Sequence, residues 1–236
     1  MPGTEKVLAR YRTSGFSDTD RGAVDEGYGA LLRWLPADRA ARILDLGCGG
    51  GEFLDFLRRA HYVRAEGIDV SPEQVERCRA RGLERVGQSS DSRAFLRAHP
   101  RAFDAVVMND VLEHIPKAQC IDTLEDIRGA LVKGGTLLVK VPNAANVFGL
   151  VARYLDFTHE IAFTEHSLRQ VLLAAGYADV EVGGLNVALE MRPKRVVYWL
   201  LNRAYVTVHR AAYIAAVGSD APTILSKLLV ARGTAR

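Results

Sequence analysis

The sequence of 236 residues predicts a single α/β domain built on a doubly wound, mostly parallel sheet. From Arg42 onward, short β-branched or leucine-rich runs alternate with helical periodicities, which is the order expected of parallel strands joined by crossover helices. Hydrophobic residues make up 48% of the chain and charged residues 25%, and no break in composition suggests a linker. We therefore expect one sizeable core.

The order of elements follows from the same pattern. Strands are predicted at 42–46, 64–69, 84–87, 103–108 and 135–141. Helices are predicted before and between them, at 24–35, 51–60, 72–81, 91–98 and 119–132. An irregular stretch from Pro142 to Glu165 precedes the last predicted elements, which are a helix at 166–175, a strand at 178–183, an apolar helix at 193–217 and a final strand at 224–231.

This order predicts how the single domain is organised. We expect an N-terminal helical cap at 1–40, a core at 41–185, a helical insertion at 186–222, and a last strand and tail at 223–236. Lys194, Arg195, Arg203 and Arg210 flank the apolar body of the helix at 193–217. Core packing, a lid, a homodimer surface and peripheral membrane contact are the alternatives for this helix.

Charge and cysteine content bear on the binding partners and the cellular location of the protein. The net charge of +3 does not indicate a general nucleic-acid-binding surface. Cys48, Cys78 and Cys120 are too widely spaced for a disulfide framework or a zinc motif. No apolar leader or membrane-spanning run is present in the sequence. We expect a cytoplasmic protein, with contact at the inner face of the membrane as the alternative.

The segment 43–52, with the sequence ILDLGCGGGE, carries most of the functional argument. Asp45 ends a strand, and glycines at 47, 49 and 51 precede a helix, so that a ligand can lie against backbone that has no Cβ. Asp69 ends the next strand, where its carboxylate can accept both ribose hydroxyl protons. Asp45 would repel a pyrophosphate but suits the amino end of a methionine-derived cation. These residues predict an adenosyl ligand that carries positive charge.

Four segments, at 45–51, 67–71, 103–114 and 131–139, resemble in order the motifs of class I S-adenosylmethionine-dependent methyltransferases. The resemblance covers roughly residues 28–177. It implies a Rossmann-like, doubly wound, seven-stranded sheet with helices on both faces, mostly parallel with an antiparallel last strand, and S-adenosylmethionine as cofactor. The cofactor-binding residues it implies are Asp45, Gly47, Cys48, Gly49, Gly51, Asp69, Val70, Ser90, Asp91, Asn109, Asp110 and Val111. An alternative role for Asp69 is to cap the helix that begins at Pro72.

A cluster of Asp110, Glu113 and His114 follows the fourth predicted strand, at the edge where open α/β sheets bind ligands. Its spacing resembles the Glu-x-x-Glu-His segment of ubiquinone-type O-methyltransferases, with Asp110 in place of the first Glu. The resemblance implies a candidate site for Mg²⁺ or Zn²⁺. The alternative is that Glu113 and His114 support the junction between helix and loop.

The long loop after the fifth strand supplies the candidate base. A histidine with a near-neutral pKa can take the proton of an attacking hydroxyl, which makes His159 the leading base, with Asp156 to orient it and His114 as the second candidate. A loop held by Asp and Thr hydrogen bonds is the structural alternative.

Residues 154–176 resemble methyltransferases of bacterial cell-surface glycan biosynthesis. The resemblance implies an O-methyltransferase that acts on a hydroxyl of a sugar or cell-surface glycan precursor. The alternatives are a quinone-precursor or other small-molecule O-methyltransferase, and a non-catalytic binding module. A nucleic-acid acceptor is not expected, because no Asn-Pro-Pro-aromatic segment follows the fourth strand.

Overall fold

The fold is described from a computed structural model that places residues 27–185, 195–218 and 221–236. Most of the predicted N-terminal cap, the segment 186–194 and residues 219–220 lie outside the described residues. Of the helix predicted at 24–35, the described part contains a helical turn at 27–29 and a 3₁₀ helix at Leu32–Trp34.

A seven-stranded sheet forms the centre of the domain. Its strands are β1 (Ile43–Leu46), β2 (Ala65–Asp69), β3 (Val86–Gln88), β4 (Phe103–Asn109), β5 (Leu131–Pro142), β6 (Ala178–Leu185) and β7 (Leu228–Thr234). Their order across the sheet is β3-β2-β1-β4-β5-β7-β6, and β7 runs antiparallel to both of its neighbours, β5 and β6. The predicted Rossmann-like, doubly wound sheet with an antiparallel last strand is confirmed.

Helices connect the strands and cover both faces of the sheet. They are α1 (Glu52–Arg59), α2 (Pro72–Ala80), α3 (Ser92–Ala98), α4 (Lys117–Ala130), α5 (Gly149–Leu155), α6 (Glu165–Ala174) and α7 (Arg195–Val217). One hydrophobic cluster packs α4 and α6 against residues such as Val106 and Leu137, and a second packs α1 against residues such as Val107 and Leu138. The alternation along β4 and β5 therefore places core side chains on both faces.

The structure corrects the predicted start of β5 and the prediction for the loop that follows it. Strand β5 begins at Leu131 rather than 135, because Leu131 turns extended after α4 and pairs with Phe103 across an irregularity in β4. Helix α5 lies within the stretch from Pro142 to Glu165 that was predicted to be irregular.

The last strand begins at Leu228 rather than at 224, because the residues before it are held by a buried side chain. Asn143 donates from Nδ2 to the carbonyl oxygens of Ile224 and Ser226, each at 2.9 Å. Those carbonyls therefore do not pair in the sheet.

The parallel arrangement places the loops that follow β1 to β5 at one edge of the sheet. The glycine turn, Asp69, Ser90, Asn109 and the long loop after β5 all start from this edge. Open α/β sheets bind their ligands here.

None of the described helices is long and apolar enough to cross a membrane.

Candidate active site

A cavity of about 880 Å³ opens at this edge of the sheet. Its size falls within the range of ligand pockets in proteins, roughly 300–1,000 Å³. Ten of the residues predicted for the site line it, namely Gly47, Gly49, Asp69, Val70, Ser90, Asp91, Asn109, Asp110, Val111 and His114. The cavity thus collects residues from the ends of four successive parallel strands.

The glycine turn after β1 contains three residues with positive φ. Gly47, Gly49 and Gly51 have φ values of 76°, 52° and 83°, a backbone region in which side chains are strained. A Cβ at Gly49 would have no atom within 4 Å, whereas a Cβ at Gly47 would lie 2.6 Å from Cγ2 of Val111. Gly49 therefore presents bare backbone to the cavity, and Gly47 allows close packing of the turn.

Asp45, Cys48 and Gly51, three residues predicted to bind the cofactor, do not line the cavity; Cys48 and Gly51 pack beneath the glycine turn. Gly51 lies where a Cβ would be 2.5 Å from Leu83 and 2.9 Å from the sulfur of Cys78. Cys48 is buried and packs in one hydrophobic cluster with Leu54 of α1 and Cys78 of α2. The structure gives both residues a packing role beneath the turn.

Asp69 braces the glycine turn from the end of β2. Its Oδ2 accepts from Gly49 N at 2.8 Å, and its Oδ1 accepts from Ser71 N at 2.8 Å. Burial raises the pKa of Asp69, and these backbone donors act in the opposite direction. The cap of α2 is Ser71, whose Oγ accepts from Gln74 N, so the capping alternative for Asp69 does not hold. The remaining lone pairs of the Asp69 carboxylate are available at the cavity.

Asp45 lies beneath the cavity and is 1% exposed. Burial, and then the neighbouring Asp69, raises its pKa to about 8. Asn109 lies beside Asp45 and acts to lower its pKa. Within the described residues, neither Oδ1 of Asp45 nor the amide atoms of Asn109 make a well-formed hydrogen bond. Buried polar atoms are rarely left without partners in native proteins, so these atoms indicate that a polar ligand completes the site.

The acids after β3 and β4 have local partners. Asp91 accepts from Ala94 N at 2.9 Å and caps α3. Asp110, which has a φ of 55°, forms an ion pair with Lys140 at 2.7 Å. Asp110 therefore has a cationic partner in place of the metal ligand role predicted for it.

A hydrogen-bonded chain connects the loop after β5 to the wall of the cavity. The hydroxyl of Thr158 donates to Oδ1 of Asp156 at 2.7 Å, and Nδ1 of His114 lies 2.7 Å from Thr158 Oγ1. Because the Thr158 proton is directed to Asp156, its oxygen accepts a proton from Nδ1 of His114. With the proton on Nδ1, Nε2 is the basic nitrogen of the neutral His114 ring. Burial, and then the nearby His159, lowers the pKa of His114 and favours the neutral imidazole.

His159 packs edge-on against His114, with ring centroids 4.7 Å apart. Its Nδ1 lies 3.0 Å from the carbonyl oxygen of Ala152, which can only accept, so Nδ1 carries the proton. The predicted partnership of Asp156 with His159 is therefore replaced by the chain from Asp156 through Thr158 to His114.

Glu113 lies beside the two histidines and is almost fully buried. One ligand atom from each of Glu113, His114 and His159 falls within 4.8 Å of the others. Both carboxylate oxygens of Glu113 lack a hydrogen-bond partner among the placed residues, and burial, with Asp110 next, raises its pKa well above the ordinary range. This set fits a divalent cation. It includes His159 in place of the predicted Asp110.

Several residues that line the cavity were not predicted from the sequence. Gln74, Gln119, Thr123, Arg93 and Arg97 line the cavity from α2, α3 and α4. Arg93 and Arg97 both contact Asp126, at 2.6 and 2.9 Å. Nothing in their local sequence marks them, because only the packing of α3 against α4 brings them to the cavity. Thr158 could have been found from its position between the two predicted catalytic residues Asp156 and His159.

These features of the cavity agree with a comparison of the chain with known proteins. A family model described as a methyltransferase domain matches residues 22–182. This chain belongs to the methyltransferase domain family. The match covers the glycine turn, Asp69 and the loop of His159, and it confirms the predicted family of S-adenosylmethionine-dependent methyltransferases.

Curated relatives match part of the sequence of this methyltransferase. The ubiquinone biosynthesis O-methyltransferase of Xylella fastidiosa is 37% identical over 109 residues, which cover 44% of this chain and 42% of that protein. The trans-aconitate 2-methyltransferase of Rhodopseudomonas palustris is 29% identical over 152 residues, or 63% of this chain and 55% of the relative. The matches thus span about half of the length of these relatives.

Solved structures show the same fold. A SAM-dependent methyltransferase from Archaeoglobus fulgidus has a TM-score of 0.66 at 20% identity, over 91% of this chain and 94% of the other. Phosphoethanolamine N-methyltransferase 2 of Haemonchus contortus, in complex with S-adenosyl-L-methionine, has a TM-score of 0.65 at 18% identity, over 98% of this chain and 60% of that one. At these identities the likeness shows the fold alone.

Proposed function

We propose that this methyltransferase transfers a methyl group from S-adenosylmethionine to a hydroxyl oxygen, with His114 as the general base. The observation that carries the proposal is the chain from Asp156 through Thr158 to His114, which places a proton on Nδ1 and makes Nε2 the basic nitrogen of an imidazole that lines the cavity. A positioned base is useful for a hydroxyl acceptor, since the proton must leave as the oxygen attacks.

The residues in and around the glycine turn form the donor end of the proposed site. S-adenosylmethionine supplies an activated methyl group on a sulfonium centre. Gly49 leaves room for the donor, Asp69 accepts from the ribose hydroxyls, and Asp45 with Asn109 receives its amino end. A donor held in this turn is aligned with the acceptor, and such alignment can lower the activation barrier by several kcal/mol, on the order of 10 at most.

The acceptor end is formed by His114 and by polar groups along α3 and α4. Nε2 of His114 takes the hydroxyl proton, the acceptor oxygen forms the new bond to the methyl carbon, and the bond between that carbon and sulfur breaks. The products are a methyl ether, S-adenosylhomocysteine and a protonated His114. His159 packs against the base and limits how His114 can turn.

We propose a sugar or cell-surface glycan precursor as the acceptor. The cavity extends past the glycine turn to Arg93, Gln119 and Thr123, which offer donors and acceptors to several hydroxyl groups of one substrate. The resemblance of residues 154–176 to enzymes of glycan biosynthesis supports the same class. Three free, buried cysteines agree with the proposed cytoplasmic location, where thiols stay reduced.

A quinone precursor is the second candidate acceptor. It is favoured by the 37% identity to a ubiquinone biosynthesis O-methyltransferase. Glu113, His114 and His159 would then hold a divalent cation, which as a Lewis acid would lower the pKa of an acceptor hydroxyl. A bound cation and a general base are alternatives here, because with Nδ1 protonated both would use Nε2 of His114.

Release of S-adenosylhomocysteine tests the proposal. The purified chain is supplied with S-adenosylmethionine and with either sugar nucleotides and lipid-linked sugars, or hydroxylated aromatic quinone precursors. We expect turnover with the sugar set, and His114→Ala to reduce it roughly 10²-fold or more while calorimetry gives an unchanged affinity for S-adenosylhomocysteine.

His159→Ala is the matched control, since it removes the neighbouring imidazole and keeps His114 with its Thr158 contact. If turnover falls more in His159→Ala than in His114→Ala, His159 is the base and the proposal for His114 is wrong. Binding of the donor without turnover on any acceptor would instead support a non-catalytic binding module.

A further inference from the structure

The described surface of this methyltransferase has one large apolar region, which we call the α5–α7 surface. It consists of residues 147–157 together with α7. Fifteen of the eighteen large apolar side chains that are exposed in the described residues belong to it. They are Val147, Phe148, Leu150, Val151, Tyr154, Leu155 and Phe157 near α5, and Val196, Val197, Trp199, Leu200, Leu201, Val208, Ile214 and Val217 on α7. Apolar regions of this extent on a soluble domain mark interaction sites.

The burial pattern of α7 is opposite to that of an ordinary surface helix. Its less exposed residues are Asn202, Tyr205, Val206, His209 and Tyr213, which recur with helical spacing and share one face. The remaining faces, with Trp199 and Leu200 among their side chains, are exposed. The helix therefore turns a partly polar stripe toward the domain and an apolar surface outward.

The two helices are joined into one surface. The hydroxyl of Tyr205 on α7 accepts from Val147 N, just before α5, at 3.1 Å. On α5 itself, Gly149 is the buried residue, so α5 also contributes most of its side chains to the exposed side. Phe157, at 80% exposure, follows α5 and immediately precedes Thr158, which contacts His114. The α5–α7 surface therefore borders the acceptor side of the cavity.

The charges of this surface have one sign. Residues 143–159 and 195–218 contain a single carboxylate, that of Asp156, and it is buried. Arg203 and Arg210 are exposed on α7, and Arg203 lies over the ring of Trp199 at 5.0 Å. An apolar body with aromatic side chains and only cations is the composition of helices that lie in the interface of an anionic bilayer.

We propose that the α5–α7 surface docks this methyltransferase on the surface of an anionic phospholipid membrane. Trp199, Phe148 and their apolar neighbours enter the boundary between headgroups and acyl chains, while Arg203 and Arg210 contact lipid phosphates. A second copy of the chain is a poorer partner, because a two-fold contact would bring the same cations together without exposed acids to balance them. This inference does not depend on which acceptor is methylated.

Vesicle binding by the full chain tests the inference. Trp34→Phe leaves Trp199 as the only tryptophan, because the chain has two, so that its emission reports on the surface directly. With vesicles of phosphatidylcholine and phosphatidylglycerol in a ratio of about 7:3, we expect a blue shift and co-sedimentation, and at least tenfold weaker binding to phosphatidylcholine alone.

Variants separate the surface from the general charge of the protein. In the otherwise native chain, Leu200→Glu should weaken binding to the anionic vesicles at least tenfold. Leu173→Glu makes the same change in charge at a leucine of similar exposure on α6, outside the surface, and should bind within about twofold of the native chain. Calorimetry with S-adenosylhomocysteine checks that both variants retain a folded donor site, which keeps this test independent of turnover.

Three outcomes would overturn the inference. The first is equal loss of binding in the Leu200 and Leu173 variants, and the second is equal binding to neutral and anionic vesicles. The third is a stable dimer in light scattering that Leu200→Glu dissociates, together with no vesicle binding, which would assign the surface to a second copy of the chain.

Discussion

Replacement of Gly49 by alanine is expected to weaken donor binding at a small cost in stability. Gly49 has a φ of 52°, and a Cβ there would meet no protein atom within 4 Å. The cost to the fold is therefore that of one alanine in the left-handed region, about 1–2 kcal/mol. The new methyl group enters the space of the cavity, where we expect it to weaken donor binding at least tenfold, or by about 1.4 kcal/mol.

Gly134 offers a matched control at the opposite edge of the sheet. Its φ is 80°, and a Cβ there would also meet nothing within 4 Å, so Gly134→Ala carries a similar backbone strain without a change in the cavity. Both variants should lower Tm by roughly 2–8 °C, since 1 kcal/mol corresponds to about 2–4 °C for a domain of this size.

Thermal denaturation and calorimetry with S-adenosylhomocysteine measure the two effects separately. Only Gly49→Ala should lose affinity for the ligand. If its affinity stays within twofold of that of Gly134→Ala, the glycine turn does not bind the donor and the placement of the donor is wrong.

Three more predictions follow from the buried acids and the histidine pair. With a pKa of about 8, Asp45 holds a proton at pH 7 in the free protein, and the ammonium group of the donor should displace that proton. The affinity of the native chain for S-adenosylmethionine, measured by calorimetry, should therefore rise between about pH 6 and 7.5, by up to tenfold per pH unit. The affinity of Asp45→Asn should not change over this range, and equal pH dependence of the two proteins would contradict the role of Asp45. Thr158→Val should lower turnover roughly 10²-fold at unchanged donor affinity. Thr158→Ser keeps the hydroxyl that orients His114, so its turnover should remain within a few-fold of the native chain; the reverse order of the two variants would contradict the role of the hydrogen-bonded chain. Chelation should leave turnover within twofold if His114 acts as a base, while a loss that added Mg²⁺ or Zn²⁺ restores would assign its Nε2 to a cation.

The sequence predicted the sheet and the donor side of the site because both depend on local patterns. A strand that ends in Asp45 and passes into a glycine turn needs little tertiary context, and neither does Asp69 at the end of the following strand. In contrast, Cys48 and Gly51 share that turn yet face Leu54 and Leu83, a difference that depends on how α1 and α2 pack.

The acceptor side was harder to predict, because its contacts join distant parts of the chain. His114 and Thr158 are 44 residues apart, and their hydrogen bond decides which nitrogen of His114 carries the proton. Asp110 matched the spacing of a metal ligand, but Lys140 from the neighbouring strand forms an ion pair with it. Spacing along the chain could not reveal either partner.

Asn143 connects two regions that are more than 80 residues apart in the sequence. From the end of β5 its amide fixes the approach to β7, while its Oδ1 accepts from Ala145 N at the start of the loop that leads to Thr158. Asn146, three residues further along the same loop, adds a second link, since its Nδ2 donates to the carbonyl oxygen of Leu225 at 2.8 Å. A shift in how β7 enters the sheet should therefore move the loop that leads to Thr158. Selectivity for the methyl acceptor should consequently be sensitive to substitutions near residues 224–226, although these residues do not line the cavity.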